Sequence, residues 1–203
     1  MSNGFIYVTE VVGMRGAGQD RAGVQEVGDS VVIALADGAG GTSGGSKAAQ
    51  AVVDAVFAAA SQQPAWALLL ADLDRDAVRL GGGQSTAIAL SVTCAGVVGA
   101  EVGDSAAWVI RGTYIEDLTA RQPRKPLLGG GCIPSAIHGR SLEGGTLLVA
   151  SDGLIKYASQ TSIARIASGE DLVFAARSLV DLVRLRSGAL QDDVSIVLCR
   201  EAT

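Results

Sequence analysis

A chain of 203 residues, 48% apolar and only 18% charged, is long enough to bury a core and too apolar to be a disordered segment. Its formal net charge of -5, with no cluster of Lys and Arg, argues against a nucleic-acid surface. Cys94, Cys132 and Cys199 form neither a disulfide framework nor a zinc motif, and there is no basic leader and no apolar run of about 20 residues, so the expectation is one soluble cytoplasmic domain over 1–203, away from the membrane.

Residues 5–12 are rich in β-branched side chains and partly alternate, which predicts a strand. Residues 30–36 (SVVIALA) are continuously apolar and end at Asp37 and a Gly-rich turn, the pattern of a buried strand that presents a side chain at its end. The Ala-rich stretch 46–60 has helical spacing, and a second helix is expected from Pro64 to about residue 80, stopped by Gly81-Gly82-Gly83. Three consecutive strands follow (STAIALSVT, GVVGAEVG, SAAWVIR), read as an antiparallel meander, with another short strand at 114–118. Residues 119–144 hold three of the 4 prolines and read as an irregular surface loop. A buried strand at 146–150 ends at Ser151-Asp152-Gly153. Helices are expected at 160–167 and 171–186, with Ser168 and Asp171 at capping-box spacing, and a strand from residue 194 closes the chain. Strands and helices in blocks, without regular βαβ alternation, give an α+β chain.

Three segments share one pattern: VVIALADGAGG (31–41), LLVASDGL (147–154) and QDDVSIVL (191–198) each place an aspartate in a tight turn beside an apolar strand. A strand end holds a carboxylate rigidly, and hard divalent cations take oxygen ligands, which points to Mg²⁺ or Mn²⁺. A single Asp-Gly marks a turn and no more. Other features carry less. His138 lies in the irregular stretch, Ser43 has no neighbouring His motif to activate it, and GAGGTSGGSK lacks the phosphate-loop spacing. Trp66 and Trp108 are expected in the core.

The order of the segments resembles the type 2C (PPM) family of metal-dependent serine/threonine phosphatases over nearly the whole chain. Arg15 and Asp20 within RGAGQDR resemble the family's opening Arg and acidic pair. DGAGG (37–41) resembles its DGxGG motif, GQSTAIAL (83–90) its G-S/T-T-A strand and VGDS (102–105) its GDS turn. ASDGL (150–154) and DDVSIVL (192–198) resemble its last two metal motifs. The resemblance implies a four-layer αββα sandwich with two mainly antiparallel central sheets flanked by helices. It implies two Mg²⁺ or Mn²⁺ ions: Asp37 bridging both, the Gly38 carbonyl and Asp20 on the second, Asp152 and Asp192 on the first. Asp104 resembles the aspartate that helps hold a third, weaker ion in some bacterial members. Arg15 would grip the substrate phosphate with its forked donors. The implied reaction is in-line hydrolysis of phosphomonoesters by a metal-bridging water, with Asp37, Asp152, Asp192 and Arg15 as its catalytic set and phosphorylated proteins, products of a serine/threonine kinase, as substrates.

The chain departs from that pattern in four places. Ala39 stands where many members have the His proposed as the leaving-group acid, Gln19 replaces the first acidic residue, Asp193 replaces an Asn, and the flap region within 119–144 is short. These departures leave two alternatives: a catalytically weak module that binds phosphoproteins, and a phosphatase for small phosphomonoesters.

Overall fold

The computed structural model of the chain describes residues 4–39, 43–76 and 78–202, so Gly40 and Gly41 of the DGAGG turn and the side chain of Ser43 lie outside the description. The amino-terminal part comprises β1 (Phe5–Val12), β2 (Arg21–Val27), β3 (Ser30–Ala36), the two-residue β4 (Gly38–Ala39), α1 (Ser43–Ala59) with a 3-10 turn after it, and α2 (Trp66–Asp74). Then come β5 (Gln84–Ser85), β6 (Ala87–Thr93), β7 (Gly96–Val102), β8 (Ala106–Arg111), β9 (Tyr114–Asp117) and β10 (Ser135–Gly139). The chain closes with β11 (Thr146–Ala150), α3 (Asp152–Ile155), α4 (Gln160–Ala167), α5 (Leu172–Leu182) and β12 (Val194–Glu201).

Two antiparallel sheets form the centre, ordered β1-β12-β11-β8-β9 and β10-β7-β6-β3-β2. The period of two along each strand sorts side chains between layers. Val31, Ile33 and Leu35 of β3, with Ile88 and Leu90 of β6, face the opposite sheet and meet Leu147, Val149 and Val197 there. The alternate residues, Val32, Ala34 and Ala36 of β3 and Ala87 and Ala89 of β6, face α1 and α2. Those outward positions are mostly alanine, and α1 answers with Ala48, Ala49, Val52 and Val56 at helical spacing, so helix and sheet backbones approach closely. On the far side Trp108, Leu148, Ile196 and Leu198 pack beneath α4 and α5 through Ile163, Ala176 and Leu179. The result is the expected αββα sandwich. Each fully buried Ile or Leu contributes about 1.5–3 kcal/mol of transfer free energy. Among the described residues no helix is long and apolar enough to cross a membrane.

Several expectations need correction. β7 and β8 do not belong to one meander: the turn at Gly103-Asp104 carries the chain from one sheet to the other, and β8 pairs with β11 and β9. Gly103 has φ +100 there, a backbone angle suited to Gly at an abrupt crossing. The edge strand β2 was unforeseen, because RAGVQEV has no clear apolar alternation; it exists by pairing with β3 along its whole length. α2 ends at Asp74 rather than near residue 80, and Asp76 Oδ1 accepts the Arg79 backbone N–H at 3.0 Å, a local bond that competes with helix continuation. The stretch 119–144 is anchored: β10 pairs with β7, Leu127 and Leu128 are buried, and Leu128 exchanges backbone hydrogen bonds with Ser85. Asp171, not Ser168, caps α5, accepting the Val173 and Phe174 N–H groups at 2.8 and 3.0 Å.

Candidate metal centre

Four aspartates stand at strand ends on one edge of the sandwich. Asp20 immediately precedes β2 and Asp37 immediately follows β3, one step beyond the last paired residues, Arg21 and Ala36. The ladder therefore sets the two carboxylates side by side. In the other sheet Asp152 lies two residues past the end of β11 and Asp192 two residues before β12, and Ala150 pairs with Ile196. Tight packing brings these turns together. An added Cβ on Gly153 would sit 1.9 Å from the Asp193 carbonyl oxygen, so only Gly allows the SDG turn to lie against the QDD turn. Gly38 is equally hemmed in, with the Gly45 carbonyl 2.4 Å from where its Cβ would be.

The electrostatics report the same convergence. Burial is the first cause that pushes the Asp37 carboxyl up to about 9, followed by the charges of Asp20, Asp152 and Asp192. Asp20 is raised to about 6, again chiefly by burial, with the nearby Ser151 and Ser195 hydroxyls pulling the other way and the Asp193 charge adding to the rise. Asp20 and Asp37 lie close enough for each to act on the other's charge. Asp20 is 2% exposed, and neither of its oxygens makes a hydrogen bond of normal geometry to a donor.

The backbone of Asp37 is held on both sides. Its N–H donates to Thr86 Oγ1 at 2.9 Å, and its carbonyl accepts from the Thr86 N–H and the Ser85 hydroxyl, each at 2.9 Å. Thr86 Oγ1 also meets Ser105 Oγ at 2.8 Å. The Ser-Thr of GQSTA and the Ser of VGDS are thus a brace for Asp37. In the other sheet Ser151 and Ser195 lock β11 to β12: the Ser195 N–H donates to Ser151 Oγ at 2.9 Å, and the Ser151 N–H to the Ser195 carbonyl at 3.0 Å.

Asp193, singled out in the sequence only as an extra charge, has a definite task. Its two oxygens accept the backbone N–H groups of Met14 at 2.6 Å and Gln19 at 2.5 Å, which pins the loop 13–19 beside Asp192. Arg15 stands exposed on that loop and makes no ion pair among the described residues. Asp104, half-buried in the β7–β8 turn, is close enough to act on the charge of Lys156, whose ammonium pairs directly with Asp152 Oδ2. Lys156 was missed, although its position four residues after Asp152 is the spacing of neighbours on a helix face. A cleft of about 260 Å³, lined in part by Asp104, Ser105, Gln122 and Arg124, opens beside Asp104.

The donor set fits divalent cations. It offers carboxylate oxygens, two of them orphaned on buried Asp20, and it carries a mutual repulsion that positive charge would relieve. Among the described residues, however, no three acidic, His or Cys side chains are arranged so that together they could hold a metal ion.

No family model matches the chain, and no curated protein sequence matches it significantly. Solved structures do. A point variant of a bacterial serine phosphatase superposes with a TM-score of 0.82 at 23% identity, over 98% of both chains. The S. agalactiae serine/threonine phosphatase gives 0.81 at 21%, over 98% of this chain and 99% of that one. The catalytic domain of the serine threonine protein phosphatase PstP, solved in complex with 2 manganese ions, gives 0.78 at 20%, over 98% and 99%. Over nearly its whole length, this chain has the fold of the bacterial serine/threonine phosphatases, the fold implied by its resemblance to the type 2C family.

Proposed function

We propose that this chain is a divalent-metal-dependent phosphatase that hydrolyses phosphoserine and phosphothreonine in proteins. The observation that carries the reading is the meeting of Asp20, Asp37, Asp152 and Asp192 at one sandwich edge, with the buried oxygens of Asp20 lacking donors. Asp37 with the Gly38 carbonyl, Asp20, Asp152 and Asp192 would hold two Mg²⁺ or Mn²⁺ ions, with Asp104 at a weaker third position. Such ions supply Lewis-acid polarisation of the phosphoryl group and acidify water.

The chain's own residues do the rest. Thr86, Ser85 and Ser105 fix Asp37, so that its carboxylate needs little rearrangement when charge develops. Asp193 holds the loop from which Arg15 reaches the substrate phosphate, with a fork of donors suited to two of its oxygens. The cleft beside Asp104 gives room for residues flanking a phosphorylated side chain, which favours a peptide over a small ester. Cys199 does not compete as a nucleophile: it is fully buried in β12, and burial pushes its thiol up to about 12.

The test is turnover of a phosphothreonine peptide, compared with a panel of small phosphomonoesters, with added Mn²⁺. Peptide hydrolysis that chelator abolishes and that Asp37→Asn lowers by at least about a hundredfold is the expected result. Full activity in Asp37→Asn would refute the assignment. The pairing of Lys156 with Asp152 favours one second reading, a phosphoprotein-binding module. Peptide binding without turnover at saturating Mn²⁺ would establish it.

A further inference from the structure

Lys156 sits where a helix turn returns to the metal centre. α3 runs Asp152–Ile155, and Lys156 caps its end, four residues from Asp152 and so on the same face. Its ammonium touches Asp152 Oδ2, while Asp104 and Asp192 act on the same charge through space. One tethered positive charge therefore touches one of the carboxylates read above as metal ligands and feels the charge of two more. The lysine side chain is 47% exposed and Asp152 only 10%, so the ammonium approaches from the solvent side and can withdraw to it.

We propose that Lys156 is a built-in competitor for the metal: its ammonium occupies Asp152 while the divalent ion is away and must be displaced for that ion to bind. The proposal rests on the reading of Asp152 as a ligand. Two physical effects act together. One ligand oxygen is engaged by a charge-assisted hydrogen bond, which an entering ion has to break. The remaining unit of positive charge then stays within reach of the site and repels a divalent ion. Both effects weaken metal binding without touching the fold. They would make occupancy, and with it activity, depend on metal concentration rather than being permanent. When displaced, the ammonium remains tethered within reach of the Asp104 charge.

Calorimetric titration of the metal-stripped full chain with Mn²⁺ tests this without any reliance on turnover. Lys156→Met keeps the aliphatic stem and removes the charge, and it should bind Mn²⁺ about three- to fivefold more tightly than the parent. Lys156→Gln should behave in the same way, so the outcome does not hang on one variant. Lys156→Arg, which retains a cation, should stay within about twofold of the parent. An ion pair that serves only to hold α3 predicts a lower melting temperature for Lys156→Met with the parent's Mn²⁺ affinity, and that result overturns the proposal while leaving the metal centre standing. Absence of Mn²⁺ binding by the parent and all variants at millimolar concentration would overturn the metal centre and Lys156's role together.

Discussion

The carboxylate of Asp193 holds a loop that the strands do not. Residues 13–19 lie between β1 and β2 and carry Arg15, and two backbone N–H groups of that loop end on Asp193. Hydrogen bonds to an ionised group contribute about 1.5–3 kcal/mol each. Their loss is partly offset, because removing the Asp193 charge also relieves Asp20. Asp193→Ala should therefore cost about 2–4 kcal/mol in urea melts and speed amide exchange at Met14 and Gln19. Asp193→Asn keeps one acceptor oxygen but turns an NH₂ toward the other N–H, so it should fall between the parent and the alanine variant. An alanine variant with parental stability and exchange would show that the loop holds itself. The aspartates 37, 152 and 192 were legible as candidates because each sits in a tight turn beside an apolar strand, whereas Asp20 was legible only through the resemblance of RGAGQDR to the family's opening motif. The work of Asp193, Thr86, Ser105 and Lys156 was not, because it consists of bonds that a side chain's own surroundings in the chain do not announce. No local pattern says that a Thr at 86 will accept the N–H of residue 37.

Elements were readable in proportion to how far their own residues decide them. β3 and β11 follow their apolar runs to the residue, since both faces are buried and every position is apolar or small. β2 and β10 were invisible because their composition is ordinary and a neighbouring strand makes them. The crossing from β7 to β8 escaped for a related reason: a Gly turn between two strands looks the same whether the strands share a sheet or face each other. β7 also carries an anomaly that makes a prediction. Val97 and Glu101 are on the same face of this strand, so Glu101 enters the layer between the sheets, where it is 3% exposed and its Oε2 has no hydrogen-bond partner among the described residues. Burial, then the charge of Asp117, pushes its carboxyl up to about 8. With its folded value raised above the usual 4.5, the folded chain keeps a proton that the unfolded chain releases. Stability must then fall as pH rises from about 4.5 to about 8 and level off beyond. Glu101→Gln should remove this part of the fall and exceed the parent in melting temperature at pH 8. An unchanged pH profile would mean that Glu101 ionises freely in the folded state.

At the scale of the whole molecule, the same sandwich that buries its core well must hold acidic groups from both sheets against one another at one edge. Asp37 is raised to about 9 and Asp20 to about 6, so in the metal-free chain both follow the sign worked out for Glu101. Below the ordinary aspartate value neither costs anything. As pH rises through it, the unfolded chain ionises first and stability is lost, up to about pH 6 for Asp20 and about pH 9 for Asp37. A cation changes this balance where it cannot change that of Glu101, which is perturbed by burial and by Asp117 rather than by the clustered aspartates. Ion binding to the folded chain alone stabilises by mass action, about 2.7 kcal/mol at one hundred times the dissociation constant. For a chain of this size each kcal/mol moves the melting temperature by about 2–4 °C, which gives a rise of about 5–10 °C. The rise should grow with pH between about 5 and 8, because Mn²⁺ competes with protons for Asp20 and Asp37 and gains as they leave. In Glu101→Gln the Mn²⁺-induced rise should be the same as in the parent. In Asp37→Asn most of it should vanish. A melting temperature indifferent to millimolar Mn²⁺ at pH 8 would mean that the four carboxylates, although neighbours, share no ion, and that their repulsion is relieved by protons alone.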